Sequence, residues 1–191
     1  MSRSQADKAA IHEQIVHLAA ERFREVGLNG IVVADLMKEA GRTSGGFYKH
    51  FESRDKLVEE ALKCAFDQRQ SRLEEYTAPQ SALTLADFIE RYLSEEHLND
   101  PGSGCALTAL VNDVARSAEP IRELFTHEVE SELAVIASLM AGRQATKKRT
   151  NAILVLCSLV GAMGLSRAVS DPALIAELLA TRKALLRAVD A

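Results

Sequence analysis

One short stretch, residues 42–51, is rich in glycine and in residues with hydroxyl, aromatic and cationic side chains. Hydroxyls and cations can reach phosphates and base edges, and small residues let a backbone approach a nucleic acid closely. This chemistry is typical of a surface that enters the major groove of DNA. The candidate nucleic-acid contacts are Arg42, Thr43, Ser44, Gly45, Gly46, Tyr48, Lys49, His50 and Arg54.

A second candidate for chemistry is Cys105, which follows Gly102, Ser103 and Gly104 at the predicted start of a helix. The positive end of a helix dipole favours the reactive thiolate form of a cysteine. Cys105 could therefore be a redox or electrophile sensor, or simply a small residue that lines a pocket or the core. No nucleophile motif, phosphate-binding glycine loop or paired-carboxylate signature accompanies it.

A third set, Glu123, His127 and Glu130, falls on one face of a predicted helix. Such a face could ligate a metal ion, but solvated charges are the more ordinary interpretation. The three cysteines are widely spaced and form no Cys-x-x-Cys pair, which argues against a disulfide framework or a structural zinc site. We predict no metal, no cofactor and no catalytic residue.

The elements that must position the stretch 42–51 form a helix-turn-helix pattern. Residues 32–40 carry an apolar stripe at helical spacing, and Gly41 can take a positive φ that ends this helix and reverses the chain. Thr43 is the predicted cap of the second helix through its hydroxyl. Phe47 and Phe51, one turn apart, are expected to pack inward and leave the polar residues facing outward.

Composition bounds the class of protein. The chain has 191 residues, 47% of them hydrophobic and 26% charged, which is enough to bury a core. The formal net charge is −4, with seven basic and seven acidic residues in residues 1–52 and an acidic remainder. Affinity for DNA must therefore come from where the cations lie. No secretory segment is visible at the amino terminus, so we expect a cytoplasmic protein.

The stretch resembles the TetR family of bacterial transcriptional regulators. The resemblance covers roughly residues 8–60. It lies in Ala40-Gly41, in the run from Gly45 to Phe51 and in the run from Ser53 to Leu57, and Phe23 and Gly27 resemble the end of the family's first helix. Where the family usually has Thr or Ser opening the second helix, this chain has Ile31-Val32-Val33. Arg42 replaces an apolar residue and is either a phosphate contact or a solvated turn residue.

The resemblance implies an all-α fold of about nine helices, with a helix-turn-helix domain in residues 1–52 and an effector-binding and dimerisation domain in residues 53–191. A long helix from Ser53 to about Tyr76 connects the two. In the family, the domain beyond the DNA-binding helices folds around a ligand cavity. The candidate effector residues are Phe66, Phe88, Tyr92, Cys105, Leu107, Leu110, Val111, Phe125 and Met163.

Small residues also follow a helical stripe near the carboxyl end, at spacings of four, three and four. A stripe of this kind lets a second helix approach closely, either as a dimer seam or within the core. The family's last two helices form a four-helix dimer interface, which favours the seam. The candidate interface residues are Cys157, Gly161, Gly164, Ala168, Leu178 and Leu185. The apolar stretch 152–165 is too short for a membrane span, which needs roughly 20 residues.

These observations predict a homodimeric TetR-like transcriptional regulator, most often a repressor in that family. Its partners would be double-stranded operator DNA with a palindromic sequence and an unknown small-molecule effector that releases it. Two alternatives stay open at this point. One is a helical enzyme or sensor that depends on the Cys105 thiol, and the other is an adaptor with the same fold that does not bind DNA.

Overall fold

The computed structural model describes residues 5–77, 83–140 and 145–190. Every regular element among these residues is a helix and none is a strand, so the predicted all-α fold class is confirmed. The α-helices are α1 Gln5–Val26, α2 Val33–Glu39, α3 Arg54–Thr77, α4 Leu85–Tyr92, α5 Glu95–Asn99, α6 Ala106–Val114, α7 Glu119–Ser138, α8 Ala145–Ala168, α9 Pro172–Ala180 and α10 Arg182–Asp190. A 3₁₀ helix, Ser44–Lys49, lies between α2 and α3.

The chain folds into two compact units that do not follow the predicted boundary after residue 52. The first unit contains residues 1–71 and 102–124, and the second contains residues 72–101 and 125–191. The first unit extends past residue 52 because α3 is bonded to α1 along its length and α6 packs on α1. Residue 52 marks the end of the helix-turn-helix, and its role as a functional boundary stays a prediction.

The core of the first unit is built around α1. Ile15, Ala19 and Phe23, spaced by four residues along one face of α1, are buried with Leu36 of α2 and Leu57 of α3. Each fully buried side chain of this size contributes about 1.5–3 kcal/mol relative to an exposed one. This packing fixes the support on which the helix-turn-helix rests.

The core of the second unit forms around α8, which contacts α4, α5, α9 and α10. Val155, Leu159 and Met163 are buried on its inner face. Two arginines satisfy carbonyl groups at the ends of the short helices, where no intrahelical donor remains. Arg182 donates to the Leu93 carbonyl at 3.3 Å, and Arg167 donates to the His97 carbonyl at 2.5 Å.

Helix ends follow the sequence signals closely. Gly27 and Gly41 both adopt positive φ, 80° and 69°, and end α1 and α2 as predicted. The Ser53 hydroxyl accepts a hydrogen bond from the Lys56 amide at the start of α3. Thr84 and Asp87 form a reciprocal capping box at the start of α4.

The carboxyl-terminal half contains features that the sequence pattern did not indicate. A short helix, α5, follows α4, and Thr181 separates α9 from α10. The apolar stretch predicted at 152–165 belongs to a helix of 24 residues that begins at Ala145. Lys147, Lys148 and Arg149 extend it because long basic side chains are good helix formers. By length and composition alone, this one helix of the described residues could cross a membrane, which is weak support for such a span.

Candidate nucleic-acid interface

The turn between α2 and the 3₁₀ helix has a defined hydrogen-bond pattern. The Arg42 amide donates to the Met37 carbonyl at 2.8 Å, and the Gly41 amide donates to the Lys38 carbonyl at 2.9 Å. This is a Schellman motif. It requires one residue in the left-handed backbone conformation, which glycine adopts without a steric cost. The motif reverses the chain at Gly41, and the following 3₁₀ helix contacts α2.

The segment that follows is a 3₁₀ helix rather than the predicted α-helix. The Gly46 amide donates to the Thr43 carbonyl at 2.9 Å, and the His50 amide donates to the Phe47 carbonyl at 2.9 Å. Two adjacent glycines weaken an α-helix, so the tighter and shorter helix is a reasonable outcome. Phe47 and Phe51 point inward as predicted, with their ring centroids 5.3 Å apart.

The outward face of this helix presents polar groups on a rigid support. Tyr48 is 78% exposed, and the edge of its ring packs on Phe47 with centroids 5.2 Å apart. Lys49 is exposed and lies beside it. A Cβ at Gly45 would meet no atom within 4 Å in the described part of the chain. The face is therefore open enough for a duplex to approach its backbone.

Thr43 does not cap the helix through its side chain, contrary to the sequence prediction. Its backbone occupies the cap position, but within the described residues its hydroxyl accepts no capping hydrogen bond. In a 3₁₀ helix the Gly46 amide already bonds the Thr43 carbonyl, so the hydroxyl is not needed there. Thr43 and Ser44 are both exposed.

His50 is a correction to the predicted outward set. Its side chain is half-buried, with its ring 6.1 Å from the His12 ring and 6.3 Å from the Phe51 ring. Burial lowers the pKa of His50, and positive charge at His12, Lys8, Arg42 and Lys49 lowers it further. His50 is therefore less exposed than predicted, and its contact with DNA stays a prediction.

Arg54 has partners within the protein, and its predicted contact with DNA stays a prediction. Its guanidinium donates to the Leu28 carbonyl and lies over the Phe23 ring, 6.0 Å from the centroid. Arg54 therefore joins the start of α3 to the end of α1, because the carbonyl groups after a helix lack intrahelical donors. Arg42 is half-buried, and its role toward DNA stays a prediction.

Side chains of α1 contact Phe51, α2 and α3. The His12 ring stacks on Phe51 at 4.5 Å, and its Nε2 lies 2.5 Å from a carboxylate oxygen of Glu60. Arg22 of α1 pairs with Glu39 of α2 at 3.2 Å. These contacts fix the orientation of α2 and of the 3₁₀ helix, which ends just before Phe51, relative to α1 and α3.

The predicted effector residues are divided between the two units. Phe66, Cys105, Leu107, Leu110 and Val111 belong to the first unit, and Phe88, Tyr92, Phe125 and Met163 belong to the second. All are buried except Phe125, which is half-buried, and Val111, which is exposed. The set stays a prediction. The burial of Cys105, which is 3% exposed, removes the accessibility that a sensor or catalytic thiol needs.

The small-residue stripe of α8 lies on its exposed face. Cys157, Gly161 and Ala168 are exposed, and Gly164 is half-buried. Sequence reasoning missed two large apolar residues on the same stripe, Leu154 and Leu165, which are 46% and 54% exposed. Their spacing from Cys157 and Gly161, three and four residues, was the available signal. Among the remaining predicted interface residues, Leu178 is half-buried and Leu185 is buried in the core of the second unit.

Metal ligands are not grouped in the described residues, where no cluster of three His, Cys, Asp or Glu side chains could hold an ion. Glu130 is instead paired with Arg149 at 2.8 Å across α7 and α8. The Arg149 hydrogen bond lowers the pKa of Glu130.

A short helix, a Schellman turn and an exposed second helix on a buried aromatic pair define a helix-turn-helix protein. Residues 15–61 match the family model described as bacterial regulatory proteins, TetR family. The helix-turn-helix segment of this chain matches that family model, and the predicted resemblance is confirmed.

The chain is also similar to a curated relative and, in fold, to solved structures. An HTH-type transcriptional repressor, KstR2 of Mycolicibacterium smegmatis, is 35% identical over 93 residues, which span 47% of this chain and 45% of that protein. A TetR transcriptional regulator from Chloroflexus aurantiacus has a similar fold, with a TM-score of 0.76, 19% identity and coverage of 96% of this chain and 97% of that one. The regulator FadR from Bacillus subtilis, solved with stearoyl-CoA, gives a TM-score of 0.65 at 15% identity, with coverage of 93% and 96%. The match thus spans less than half the length of the KstR2 relative.

Proposed function

We propose that this protein is a DNA-binding transcriptional regulator of the TetR type that acts as a repressor in the cytoplasm. The observation that carries the proposal is the exposed face of Thr43, Ser44, Tyr48 and Lys49, held on the buried Phe47. A rigid support matters because phosphate and base contacts require fixed geometry. Relatives matched through this segment are named as transcriptional repressors.

The exposed residues can make two kinds of contact with DNA: phosphate contacts that position the protein and base contacts that recognise the sequence. Lys49 supplies a mobile cation for a phosphate, and the hydroxyls of Thr43 and Ser44 can donate to phosphates or base edges. Tyr48 offers both a hydroxyl and a ring that can contact sugar or base. With the chain as a whole at a net charge of −4, binding depends on this local arrangement.

A second copy of the chain is the proposed occupant of the exposed α8 stripe. Leu154, Cys157, Gly161, Leu165 and Ala168 share one face of α8 and are exposed. Apolar side chains in a continuous row are unfavourable in water and mark an association surface. Two copies related by a two-fold axis would present two recognition segments to a palindromic operator, with half-sites about 34–36 Å apart.

A small-molecule effector is proposed to release the protein from DNA. FadR, which shares the fold, was solved with stearoyl-CoA, and this supports ligand binding only by analogy. Helix α3 starts next to the helix-turn-helix and continues without interruption to Thr77, so a displacement of α3 would move the interface. Coupling of this kind is reciprocal, so DNA and effector must weaken each other by the same factor.

The proposal makes the protein a regulator and not an enzyme, with no membrane partner. The burial of Cys105 supports this. The buried inner face of α8 suits a core helix, and its exposed face suits the proposed dimer.

Fluorescence anisotropy with a labelled DNA fragment from the protein's own promoter region tests the proposed function. We expect saturable binding that survives an excess of unrelated DNA and weakens on substitution of Tyr48 by Ala. The matched control is Thr146→Ala on the exposed first turn of α8, which should bind as the wild type does. If the wild type and the Thr146→Ala control bound promoter and unrelated DNA equally, the proposal would be contradicted.

A further inference from the structure

A groove between α1 and α3 contains a thiol beside an imidazole. Its volume is about 500 Å³, within the range of small-molecule sites. His12, Glu13, Val16 and His17 line it from α1, and Glu60, Lys63, Cys64, Asp67, Gln68 and Ser71 line it from α3. The Cys64 sulfur lies 3.5 Å from Nδ1 of His17, although the two residues are 47 positions apart in the chain.

The orientation of Gln68 follows from its neighbours. Its side-chain oxygen accepts a hydrogen bond from Arg24 at 2.9 Å, and a guanidinium can only donate. The Gln68 amino group must therefore face the other way. It lies 3.0 Å from Nδ1 of His17 and 3.4 Å from the Cys64 sulfur.

This orientation fixes the state of the imidazole. Because Gln68 donates toward Nδ1 of His17, that nitrogen is an acceptor and the ring proton is on Nε2, which lies 3.9 Å from a Glu13 oxygen. The Cys64 thiol lies 3.5 Å from the same nitrogen, so it can replace Gln68 as the donor and pass its proton to Nδ1. Thiol, base and a group that orients the base are the parts of an activated nucleophile.

The resting thiol is protonated, so its reactivity depends on a base. Burial raises the pKa of Cys64; the Arg24 guanidinium, the next largest influence, lowers this pKa, and the carboxylates of Asp67 and Glu13 raise it. His12 and His17 of α1 and Glu60 and Lys63 of α3 are the other titratable residues that line the groove. The Cys64 side chain is half-buried but opens to the groove, whereas Cys105 is buried.

We propose that Cys64 is a covalent modification site for small uncharged α,β-unsaturated carbonyl compounds, with His17 as the base. The carboxylates of Glu13, Glu60 and Asp67 outnumber the single cation of Lys63 in the groove, which disfavours anionic reagents.

The reaction balances without a leaving group or an oxidant. The thiol proton moves to Nδ1 of His17, and the sulfur electron pair forms a bond to the β-carbon. The carbonyl π-system accepts the displaced electron pair as an enolate, and the α-carbon then takes a proton from the imidazolium. The Gln68 amino group, 3.4 Å from sulfur, donates to the thiolate as it forms. This inference stands whether or not the protein binds DNA.

The test is the pH dependence of Cys64 alkylation by N-ethylmaleimide, measured peptide by peptide with mass spectrometry on the full chain under limiting reagent. An imidazole is mainly neutral above about pH 7. A thiol that uses an imidazole as its base therefore reaches its full alkylation rate near pH 7 and gains little at higher pH. We expect the Cys64 rate constant to change less than about threefold between pH 7 and 8.5. A thiol without a base instead gains about tenfold per pH unit in this range, following its thiolate fraction.

The matched variant is His17→Asn, whose amide can still accept from Gln68 but cannot take a proton. His17 is exposed, so the variant should fold, and thermal unfolding verifies this. We expect Cys64 in His17→Asn to react at least about tenfold more slowly at pH 7 and to recover the steep pH dependence. Identical pH profiles in the two proteins, or a Cys64 that stays unmodified while Cys157 reacts, would overturn the proposal.

Discussion

Replacing Gly161 by leucine should change folding and association in opposite directions. Gly161 is exposed on α8, and a Cβ placed there would meet no atom within 4 Å in the described part of the chain. The substitution therefore creates no clash inside one subunit. Leucine is a better helix former than glycine, by about 0.7 kcal/mol or slightly more in a helix interior. We expect the isolated subunit to become more stable by that amount.

The dimer should become weaker. If two copies of α8 approach each other along the small-residue stripe, each added side chain overpacks the seam at about 1–3 kcal/mol. A two-fold interface contains the substitution twice, so the total is roughly 2–6 kcal/mol. At 1.4 kcal/mol per tenfold, the dimer dissociation constant should rise at least about 30-fold.

Two measurements separate these effects. Sedimentation equilibrium over a range of concentrations gives the dissociation constant, and urea unfolding at low protein concentration gives the stability of the subunit. Gly161→Ala is the matched control, because it improves helix propensity while adding a single methyl group. A Gly161→Leu protein that dimerises with the wild-type constant, or that loses subunit stability, would refute the reasoning.

Three further predictions concern the first unit. Lys49→Ala should weaken binding to all DNA sequences and make the slope of log K against log salt shallower by about one unit, as the loss of one phosphate contact requires; an unchanged slope would place Lys49 elsewhere. Gly27→Ala and Gly41→Ala each force alanine into a left-handed conformation, which costs about 1–2 kcal/mol. Only at Gly27 would the new Cβ also lie 3.2 Å from an Asp113 oxygen. Urea unfolding should therefore show a larger loss of stability for Gly27→Ala than for Gly41→Ala. Because the pKa of His50 is lowered in the folded protein, the unfolded chain binds more protons, and stability should fall as pH drops below about 6.5. His50→Gln should flatten this part of the profile of unfolding temperature against pH, and an equally steep profile would exclude His50 as its source.

Local signals predicted the helix-turn-helix well. The spacing of Phe47 and Phe51 and the position of Gly41 depend on residues close in sequence, and the structure shows the aromatic pair inward and the glycine at positive φ. The caps at Ser53 and Thr84 likewise involve residues three positions apart. These features are decided by the backbone within one or two turns.

Features that depend on distant partners could not be predicted in this way. Arg54 is a candidate DNA contact, and its hydrogen bond to the Leu28 carbonyl, 26 residues away, had no signal in the sequence. His50 packs near His12, and Cys64 meets His17, only because α1 lies against the segments that follow it. The length of α8 was underestimated because the basic residues at its start hid the helical continuity of the apolar stretch.

The central claim is that the exposed face of the 3₁₀ helix binds a specific DNA sequence. The most direct measurement is the affinity of the wild type and of Tyr48→Ala for promoter and for unrelated DNA, at the same salt concentration. A specific regulator should prefer its promoter site by about 10³-fold or more. Tyr48→Ala should lose affinity for that site without losing fold, as judged by an unchanged unfolding temperature. Equal affinity of the wild type for both DNAs, or an unaffected Tyr48→Ala, would contradict the claim.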